Sequence, residues 1–270
     1  MRNEGAFIVE WVAWYRMLGF RVLLGYNDCT DHSPELLGAL AHAGWVERFE
    51  HVPGALNPKA SAYRAARRQQ AVAAADWLLI CDVDEFLVPH VGDGTIGSYP
   101  DRTGRDHQGV AFHWRCFGTD GLERYDDRLV HRTFTRCSPA ADRININFKT
   151  LVREPLRFRR LDDHAPHGFD GDWGKGRAHF VDGEGRVIER FLTDEGPVRF
   201  TGVAEISHRF AQMNHYILRW KESFEAKRGT ALGIAIMGTS LGGMIFPPLI
   251  TQLIASQGWR GGFATLAVVP

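Results

Sequence analysis

Three acidic residues follow a short, strongly apolar stretch of the chain. Asp82, Asp84 and Glu85 come directly after residues 77–81, which read Trp-Leu-Leu-Ile-Cys. An apolar run of this length predicts a strand buried on both faces, as in a parallel sheet. Alternate residues of a strand point to the same side, so Asp82 and Asp84 would converge at its carboxyl end. Paired carboxylates there favour a hard divalent cation shared with a substrate phosphate; a solvated loop after a strand is the alternative.

The chain before this cluster alternates helical and extended patterns. We predict helices at 6–18, 33–44 and 60–75, and strands at 20–26, 45–52 and 77–81. Ser33 followed by Pro34 is typical of a helix start, with Ser33 as the N-cap. This order of elements predicts an α/β fold with a mostly parallel sheet flanked by helices. A sheet of this kind normally has a strand before its first helix, so we expect a truncated chain or a start further upstream.

The pattern is less regular after Pro89. We predict further strands at 109–115 and 147–153 and a helix at 217–227. The segment 162–174 is rich in Asp, His and Gly, which is typical of a loop that contributes to a binding site.

Charge and cysteine content exclude some classes of function. The chain has 32 Lys and Arg against 32 Asp and Glu, so no global basic field indicates a nucleic-acid partner. Its four cysteines contain no C-x-x-C pair, which argues against a metal clip or a redox motif. Reduced thiols and the polar start of the sequence predict a cytoplasmic protein.

The end of the sequence belongs to another physical class. No charged residue lies between Arg228 and Arg260, and this run is long enough to cross a bilayer. Gly238 and Gly242 form a G-x-x-x-G pair, which permits close helix packing in lipid. Lys227 and Arg228 precede the run, so we expect the preceding domain at the cytoplasmic face of a membrane. A buried, glycine-rich helical hairpin is the alternative.

Several short motifs occur in a fixed order along residues 2–228. They are R-N-E-G at 2–5 with E-W-V at 10–12, Y-N-D-C-T-D at 26–31, D-V-D-E-F at 82–86, W-R-C-F-G-T-D-G at 114–121, F-K-T-L-V-R at 148–153, His164, and N-H-Y at 214–216. Together these motifs resemble glycosyltransferase family 2, close to its family 92-like branch. The resemblance implies a GT-A-like, Rossmann-like fold that here lacks its first strand.

The resemblance also implies an activity. Enzymes of this group transfer a sugar from a nucleotide-diphosphate sugar to an acceptor hydroxyl, in the synthesis of glycans or cell-surface polysaccharides. The implied partners are a UDP-sugar, as the favoured donor, and a carbohydrate acceptor.

Particular residues acquire roles through the same resemblance. The implied metal ligands are Asp82, Asp84 and His215, for Mn2+ or Mg2+, and an imidazole ligand favours Mn2+. The residues implied to hold the nucleotide are Arg2, Asn3, Glu4, Asp28, Asp82, Lys149 and Arg153. Loop polarity and helix capping are the alternative explanation for the first four of these residues, and an exposed strand edge is the alternative for Lys149 and Arg153.

The catalytic base is the least determined role. An inverting displacement needs a carboxylate within hydrogen-bond reach of the acceptor hydroxyl. Asp120, Asp162 and Asp163 are candidates by position, and we favour Asp163 because His164 follows it in a polar loop.

Residues 229–270 resemble a fragment of a major facilitator superfamily transporter, through T-S-L-G-G at 239–243, Pro247-Pro248 and G-W-R-G-G-F at 258–263. We therefore expect two parts, a transferase domain at 1–228 and a hydrophobic helical segment at 229–270, joined as a fusion or a mis-assembled frame.

Three other functions compete with glycosyl transfer. One is a catalytically impaired module that binds a sugar nucleotide. Another is a membrane protein whose relevant part is the tail. A nucleotidyltransferase could also use paired acids, but the sequence has no glycine-rich phosphate loop with a lysine.

Overall fold

The computed structural model describes residues 1–54, 57–100, 104, 106–193, 198–220 and 222. The chain divides into two units, of which the first comprises Met1–Gly121 and Asp127–Ile217. The predicted apolar segment 229–270 lies outside the described residues, so its helical character stays a prediction. Within the described ranges, no helix combines the length and the apolar character that crossing a bilayer requires.

The second unit includes Leu122–Asp126 and the described residues after Ile217. In this unit, the backbone N–H of Tyr125 donates to Glu222 Oε2 at 2.9 Å. The rings of Tyr125 and Trp220 pack edge-on, with centroids 5.1 Å apart. None of residues 217–220 is helical, so the predicted helix at 217–227 is wrong over these four positions.

The α-helices of the described residues are α1 Gly5–Met17, α2 Ser33–His42, α3 Pro58–Ala66, α4 Gln70–Ala73 and α5 Val130–Thr133. Short 3-10 turns lie at Arg143–Asn145, Pro155–Arg157, Glu189–Thr193 and Val203–Glu205. The helices predicted at 6–18 and 33–44 are confirmed to within two residues, because both bury an apolar face.

Two details of the helix prediction are wrong. The single helix at 60–75 is interrupted, because residues 67–69 form the turn that separates α3 from α4. Ser33 is the first helical residue of α2 rather than its N-cap. The carboxylate of Asp31 satisfies that helix end, because its Oδ1 accepts a hydrogen bond from the Ser33 N–H at 3.1 Å.

The strands are β1 Leu23–Tyr26, β2 Glu47–Glu50, β3 Trp77–Leu79, β4 Glu85–Pro89, β5 Gly109–Cys116, β6 Phe148–Arg153, β7 Phe158–Arg160, β8 His167–Phe169, β9 Phe180–Asp182 and β10 Ala211–His215. β1 and β2 form a separate parallel pair, and β7 and β8 form an antiparallel pair.

The main sheet has six strands and curls into a half-barrel. Its order is β3-β6-β5-β10-β4, and β9 pairs in parallel with the first half of β5. β6 runs antiparallel to both β3 and β5, and β10 runs antiparallel to β4 but parallel to β5. The sheet is therefore mixed.

The predicted mostly parallel, GT-A-like sheet is wrong. Parallel neighbours need a long crossover connection, usually a helix. Such a helix, α2, joins β1 to β2, whereas the chain after β4 is dominated by loops and short turns. Strands joined in this way return beside one another in opposite directions, and most pairs of the main sheet are antiparallel.

The apolar run 77–81 also differs from its prediction. Only Trp77–Leu79 is extended, and this strand is half-buried rather than buried on both faces. β3 lies at an edge of the main sheet and pairs with β6 alone among the described strands. Its apolar residues therefore cover one side of an edge strand instead of filling a central position.

An aromatic core lies beneath β5, β6 and β9. Its fully or nearly fully buried rings are Phe148, Phe158, Phe169, Phe180 and Phe191. A second group of buried rings joins α1 to the other edge of the sheet, where the Phe86 ring packs edge-on against Trp14 and Tyr216. Both packing regions hold the ends of β4, β6 and β10 in place, and those ends carry the polar cluster described next.

Candidate functional site

The acidic segment connects β3 to β4, and α1 holds it in place. Glu85 Oε2 accepts a hydrogen bond from the Asp82 N–H at 2.8 Å. The indole Nε1–H of Trp11, on α1, lies 3.0 Å from the carbonyl oxygens of both Asp82 and Glu85. Because the Trp11 side chain is buried, these bonds fix the turn and the direction of its carboxylates.

Two lysines approach these carboxylates from other elements. Lys59, in the first turn of α3, donates to Asp82 Oδ2 at 2.9 Å and to Asp163 Oδ2 at 2.8 Å. Lys149, on β6, donates to Asp82 Oδ2 at 3.2 Å and to Asp163 Oδ1 at 2.7 Å. The Lys149 ammonium also lies 3.2 Å from Glu85 Oε2. We call Lys59, Asp82, Glu85, Lys149 and Asp163 the carboxylate–lysine cluster.

Asp163 is the most heavily bonded carboxylate of the cluster. Besides the two ammonium groups, its Oδ1 accepts a hydrogen bond from the Tyr63 hydroxyl of α3 at 3.0 Å. Its own N–H donates to Asp162 Oδ1 at 2.7 Å, which fixes the loop after β7. The predicted polar loop at 162–174 therefore does bring one of its acids to Asp82.

The three acids of the cluster differ in pKa because their surroundings differ. Burial alone would raise the pKa of Asp82 and Asp163, but the ammonium groups of Lys149 and Lys59 outweigh it, so both pKa values lie below the usual range. For Glu85 burial dominates and raises the pKa to about 7. The cluster thus combines two firmly ionised carboxylates with one that titrates near neutrality.

His215 lies beside the acidic turn at the end of β10. Its register partner on β4 is Glu85, and its Nε2 lies 3.7 Å from Asp84 Oδ2. The Trp114 ring covers the imidazole, with ring centroids 4.1 Å apart. Burial would lower the pKa of His215, but Asp84 outweighs this effect and raises the pKa to about 10.

The predicted metal ligands fit a divalent cation only in part. Two ligands of one cation at about 2.1 Å each are separated by roughly 3–4 Å, and the Asp84–His215 distance of 3.7 Å falls in that range. Carboxylate and imidazole are donors that suit Mn2+. Asp82 Oδ2, however, already accepts from two ammonium groups. In this arrangement, the described residues contain no group of three His, Cys, Asp or Glu side chains that could hold a metal ion.

Two predicted site residues make their contacts outside the carboxylate–lysine cluster. Arg153 is opposite Trp77, at the end of β3 away from the acidic turn, and its guanidinium lies 5.7 Å from the centre of that indole. It lies four positions along β6 from Lys149, a distance of about 13 Å. Asp120 has a positive φ of 50° and its Oδ2 accepts from the Thr135 N–H at 2.8 Å. This contact fixes a loop.

The predicted nucleotide-binding loops contact each other. The Asn3 side chain donates to Thr30 Oγ1 at 3.0 Å and accepts from the Thr30 N–H at 2.8 Å. Asp28 Oδ2 accepts from the Asn27 amide at 2.9 Å, Arg2 is exposed, and the Glu4 carbonyl accepts N–H groups from the third and fourth residues of α1. Loop contacts, part of the alternative noted for these residues, therefore account for the polarity of Asn3 and Asp28, whereas the Glu4 side chain makes no capping hydrogen bond.

Sequence reasoning missed Lys59 and Tyr63. Both lie in α3, a segment with no catalytic motif, and they reach Asp163 across about 100 residues of sequence. One signal was available for Lys59. A cation in the first turn of a helix opposes the helix dipole, which favours anions there, so a lysine at that position indicates a nearby carboxylate or another role.

Comparisons with known proteins do not assign this site to a family. No protein-family model matches the sequence, and no curated protein matches it either.

Proposed function

We propose that the chain is a glycosyltransferase that moves a sugar from a nucleotide-diphosphate sugar, with a UDP-sugar favoured, to a carbohydrate hydroxyl. The observation that supports this proposal most is the convergence of Asp82, Lys149 and Asp163, which the sequence places in three separate segments. The same end of the sheet also carries Asp84 and His215.

The charges of the site suit a diphosphate leaving group. Negative charge develops on the departing nucleotide, and positively charged donors fixed in advance stabilise it. The ammonium groups of Lys59 and Lys149 would supply such donors. Asp82 and Asp84 would hold Mn2+ or Mg2+, and His215 would join them as a ligand once the cation displaces its proton. A bound divalent cation would contribute Lewis-acid neutralisation of the diphosphate.

Asp163 is the proposed proton acceptor for the attacking hydroxyl. Its carboxylate lies in the cluster, whereas the contacts of Asp120 fix a loop. The low pKa of Asp163 keeps it ionised but makes it a weak base. It would gain basicity when Lys59, whose side chain is 53% exposed, turns towards the diphosphate of a bound donor.

A second function is favoured by the same ion pairs. Asp163 accepts hydrogen bonds from two lysines and a tyrosine, and a carboxylate held in this way suits binding better than proton transfer. A sugar-nucleotide-binding module without turnover is therefore the alternative, and measurable UDP binding without sugar transfer would distinguish it.

Cytoplasmic location and membrane attachment through residues 229–270 belong to the proposal as well. They depend on Lys227 and Arg228 before the uncharged run.

The experiment is a calorimetric titration of UDP into the full chain, with and without Mn2+. The wild-type protein is compared with Asp84→Asn and with Asp172→Asn, a matched control at an exposed carboxylate that pairs with Lys175. We expect UDP binding that requires Mn2+, is lost in Asp84→Asn and is unchanged in Asp172→Asn. Absence of UDP and GDP binding by the folded wild-type protein would overturn the proposal.

A further inference from the structure

The helix α3 is attached to the rest of the molecule mainly through polar side chains. Of its nine residues, all of which the structure describes, Ser61 alone is buried. The Ser61 hydroxyl donates to the Val52 carbonyl at 3.0 Å and lies 3.2 Å from His51 Nδ1. By comparison, α1 buries five side chains, and all of them are apolar or aromatic. Helices of globular proteins are normally held by a buried apolar face, which the described α3 does not have.

Three further side chains at helical spacing complete this attachment. Lys59 and Tyr63 donate to the Asp163 carboxylate, at 2.8 Å and 3.0 Å. Arg67, the residue after α3, donates to two backbone carbonyls of the segment 156–158. These three donors are each four positions apart, so they lie on one face of the helix. That polar face docks α3 on β7 and on the loop after it.

Such contacts hold α3 less firmly than apolar packing would. Each polar contact exchanges a bond to water for a bond within the protein, so its net contribution to stability is small. A helix of nine residues is also too short to be stable on its own in water. Detachment of α3 would therefore break its internal hydrogen bonds, at a lower cost in free energy than unfolding of the apolar core.

Lys149, one of the two cations that the proposed function assigns to the diphosphate, is not accessible from solvent. Its side chain has no exposed surface and contacts Asp82, Glu85 and Asp163. Asp82 and Asp163 are also bonded to Lys59, whose side chain is half-exposed. A ligand that contacts the Lys149 ammonium therefore requires a covering element to move, and α3 is the one held without a buried apolar side chain.

We propose that α3 is a lid over the carboxylate–lysine cluster: it opens while the rest of the first unit stays folded, and the diphosphate of a donor reaches Lys149 through that opening. Lys149 stays in place when α3 opens, so the carboxylates keep a buried counter-charge. The ligand half of this inference rests on the proposed function, because it takes the ligand to be a nucleoside diphosphate. The lid itself depends only on how α3 is attached.

Native-state hydrogen exchange measures the opening. Mass spectrometry of the full chain compares the amides of α3 with those of α1 while urea is raised below the unfolding transition. We expect α3 to exchange faster than α1, at a rate that does not change with urea, because a local opening exposes little surface. Exchange of the two helices at the same rate would overturn the lid.

Two arginines provide a matched pair of variants. Arg67→Met removes the donors to the segment 156–158, and we expect the α3 amides to exchange about fivefold faster, the scale of one net hydrogen bond. Arg64→Met makes the same change at an exposed side chain of α3 and should leave the exchange unchanged. Equal α3 exchange in the two variants would contradict the proposed attachment. Should Arg67→Met fail to fold by circular dichroism, Arg67→Ala and Arg64→Ala replace the pair, with the same expectation.

Stopped-flow mixing with UDP measures ligand access. The association rate scales with the population of the open form, so Arg67→Met should bind UDP about fivefold faster than Arg64→Met. Faster α3 exchange without faster UDP association would overturn the route to Lys149 and leave the proposed function standing. Absence of UDP and GDP binding in all the folded proteins would overturn the proposed function and the ligand half of the inference, while hydrogen exchange would still decide whether α3 opens.

Discussion

Lys149 is the residue whose surroundings depend most on burial. Its ammonium has no exposed surface, and it contacts Asp82, Glu85 and Asp163 at 2.7–3.2 Å. Burial would lower the pKa of Lys149, but these carboxylates outweigh it and hold the pKa well above its usual value. The lysine is therefore charged, and its charge compensates the fully buried Glu85 as well as the partly exposed Asp82 and Asp163.

Replacement of Lys149 by Met should destabilise the protein severely. Methionine fills a similar volume but leaves the fully buried Glu85 without the ammonium that lies 3.2 Å from it, and removal of one partner from a buried ion pair costs about 3–5 kcal/mol. Equilibrium unfolding in urea measures the change. Lys175→Met, at an exposed ion pair with Asp172, is the control and should change the free energy of unfolding by less than about 1 kcal/mol. A Lys149→Met protein as stable as this control would show that the cluster contributes little to folding.

The sequence predicted part of this cluster and missed the rest for a physical reason. Asp82 and Lys149 belong to ordered motifs, Asp163 directly precedes His164 in the predicted polar loop, and the structure brings these three side chains together. Lys59 and Tyr63 lie in α3, which looks like a solvated helix when read alone. Their role depends on which helix face meets the loop after β7, and that contact is tertiary.

At the scale of elements, the pairing of β9 with β5 depends on one close approach. Gly109 is opposite Phe180 in the parallel register, and a Cβ atom at Gly109 would lie 1.7 Å from the Phe180 ring. The ring is fully buried in the aromatic core. Glycine is therefore required here because the ring covers its backbone, rather than for a special backbone angle.

Gly109→Ala should consequently separate the two strands or displace the ring. Overpacking of a core typically costs about 1–3 kcal/mol, and thermal unfolding measures the loss. Gly118→Ala, where a Cβ would meet nothing within 4 Å, is the matched control. Phe180→Leu in the Gly109→Ala background should recover part of the loss, since the smaller side chain makes room. A Gly109→Ala protein that unfolds like Gly118→Ala would contradict this packing.

Helices were easier to predict than strands because their signal is local. Phe7, Trp11 and Tyr15 fall on one face of α1 and are buried there, as their spacing indicates. The apolar run 77–81, by contrast, does not indicate which strands lie beside it in the sheet. Whether such a run lies at the centre or the edge of a sheet depends on strands far away in sequence, here on β6.

At the scale of the molecule, the same limit explains the error in fold class. β10 lies between β4 and β5, although more than 90 residues separate it from either. Alternation of helices and strands near the start of the chain correctly indicated the parallel pair of β1 and β2. We predicted the same parallel pairing for the rest of the sheet, where the chain has few crossover helices and most strand pairs are antiparallel.

The whole molecule also buries several histidines in their neutral form. Burial, the largest cause, lowers the pKa of His113 to about 3 and those of His107 and His164 to about 4. In an unfolded chain these groups would titrate near 6.5. Between about pH 4 and 6.5 the unfolded state therefore binds more protons than the folded state, so stability rises with pH across this window. Glu85, whose pKa is raised, makes stability fall with rising pH over part of this window. It is a single group, however, and the three histidines together have the larger effect.

We therefore expect the free energy of unfolding to fall as the pH is lowered from 6.5 towards 4, with His113 as a separable contributor. His113→Gln keeps a polar side chain beside Thr201, whose hydroxyl lies 2.8 Å from His113 Nε2, but it cannot titrate. At pH 4.5 the wild-type histidine costs on the order of 2–3 kcal/mol relative to pH 7.5. Urea unfolding of both proteins at these two pH values should show a smaller loss in His113→Gln by about that amount. Equal losses in the two proteins would contradict this prediction. They would mean that His113 is protonated in the folded state as easily as in the unfolded state, so that the acid sensitivity comes from other groups.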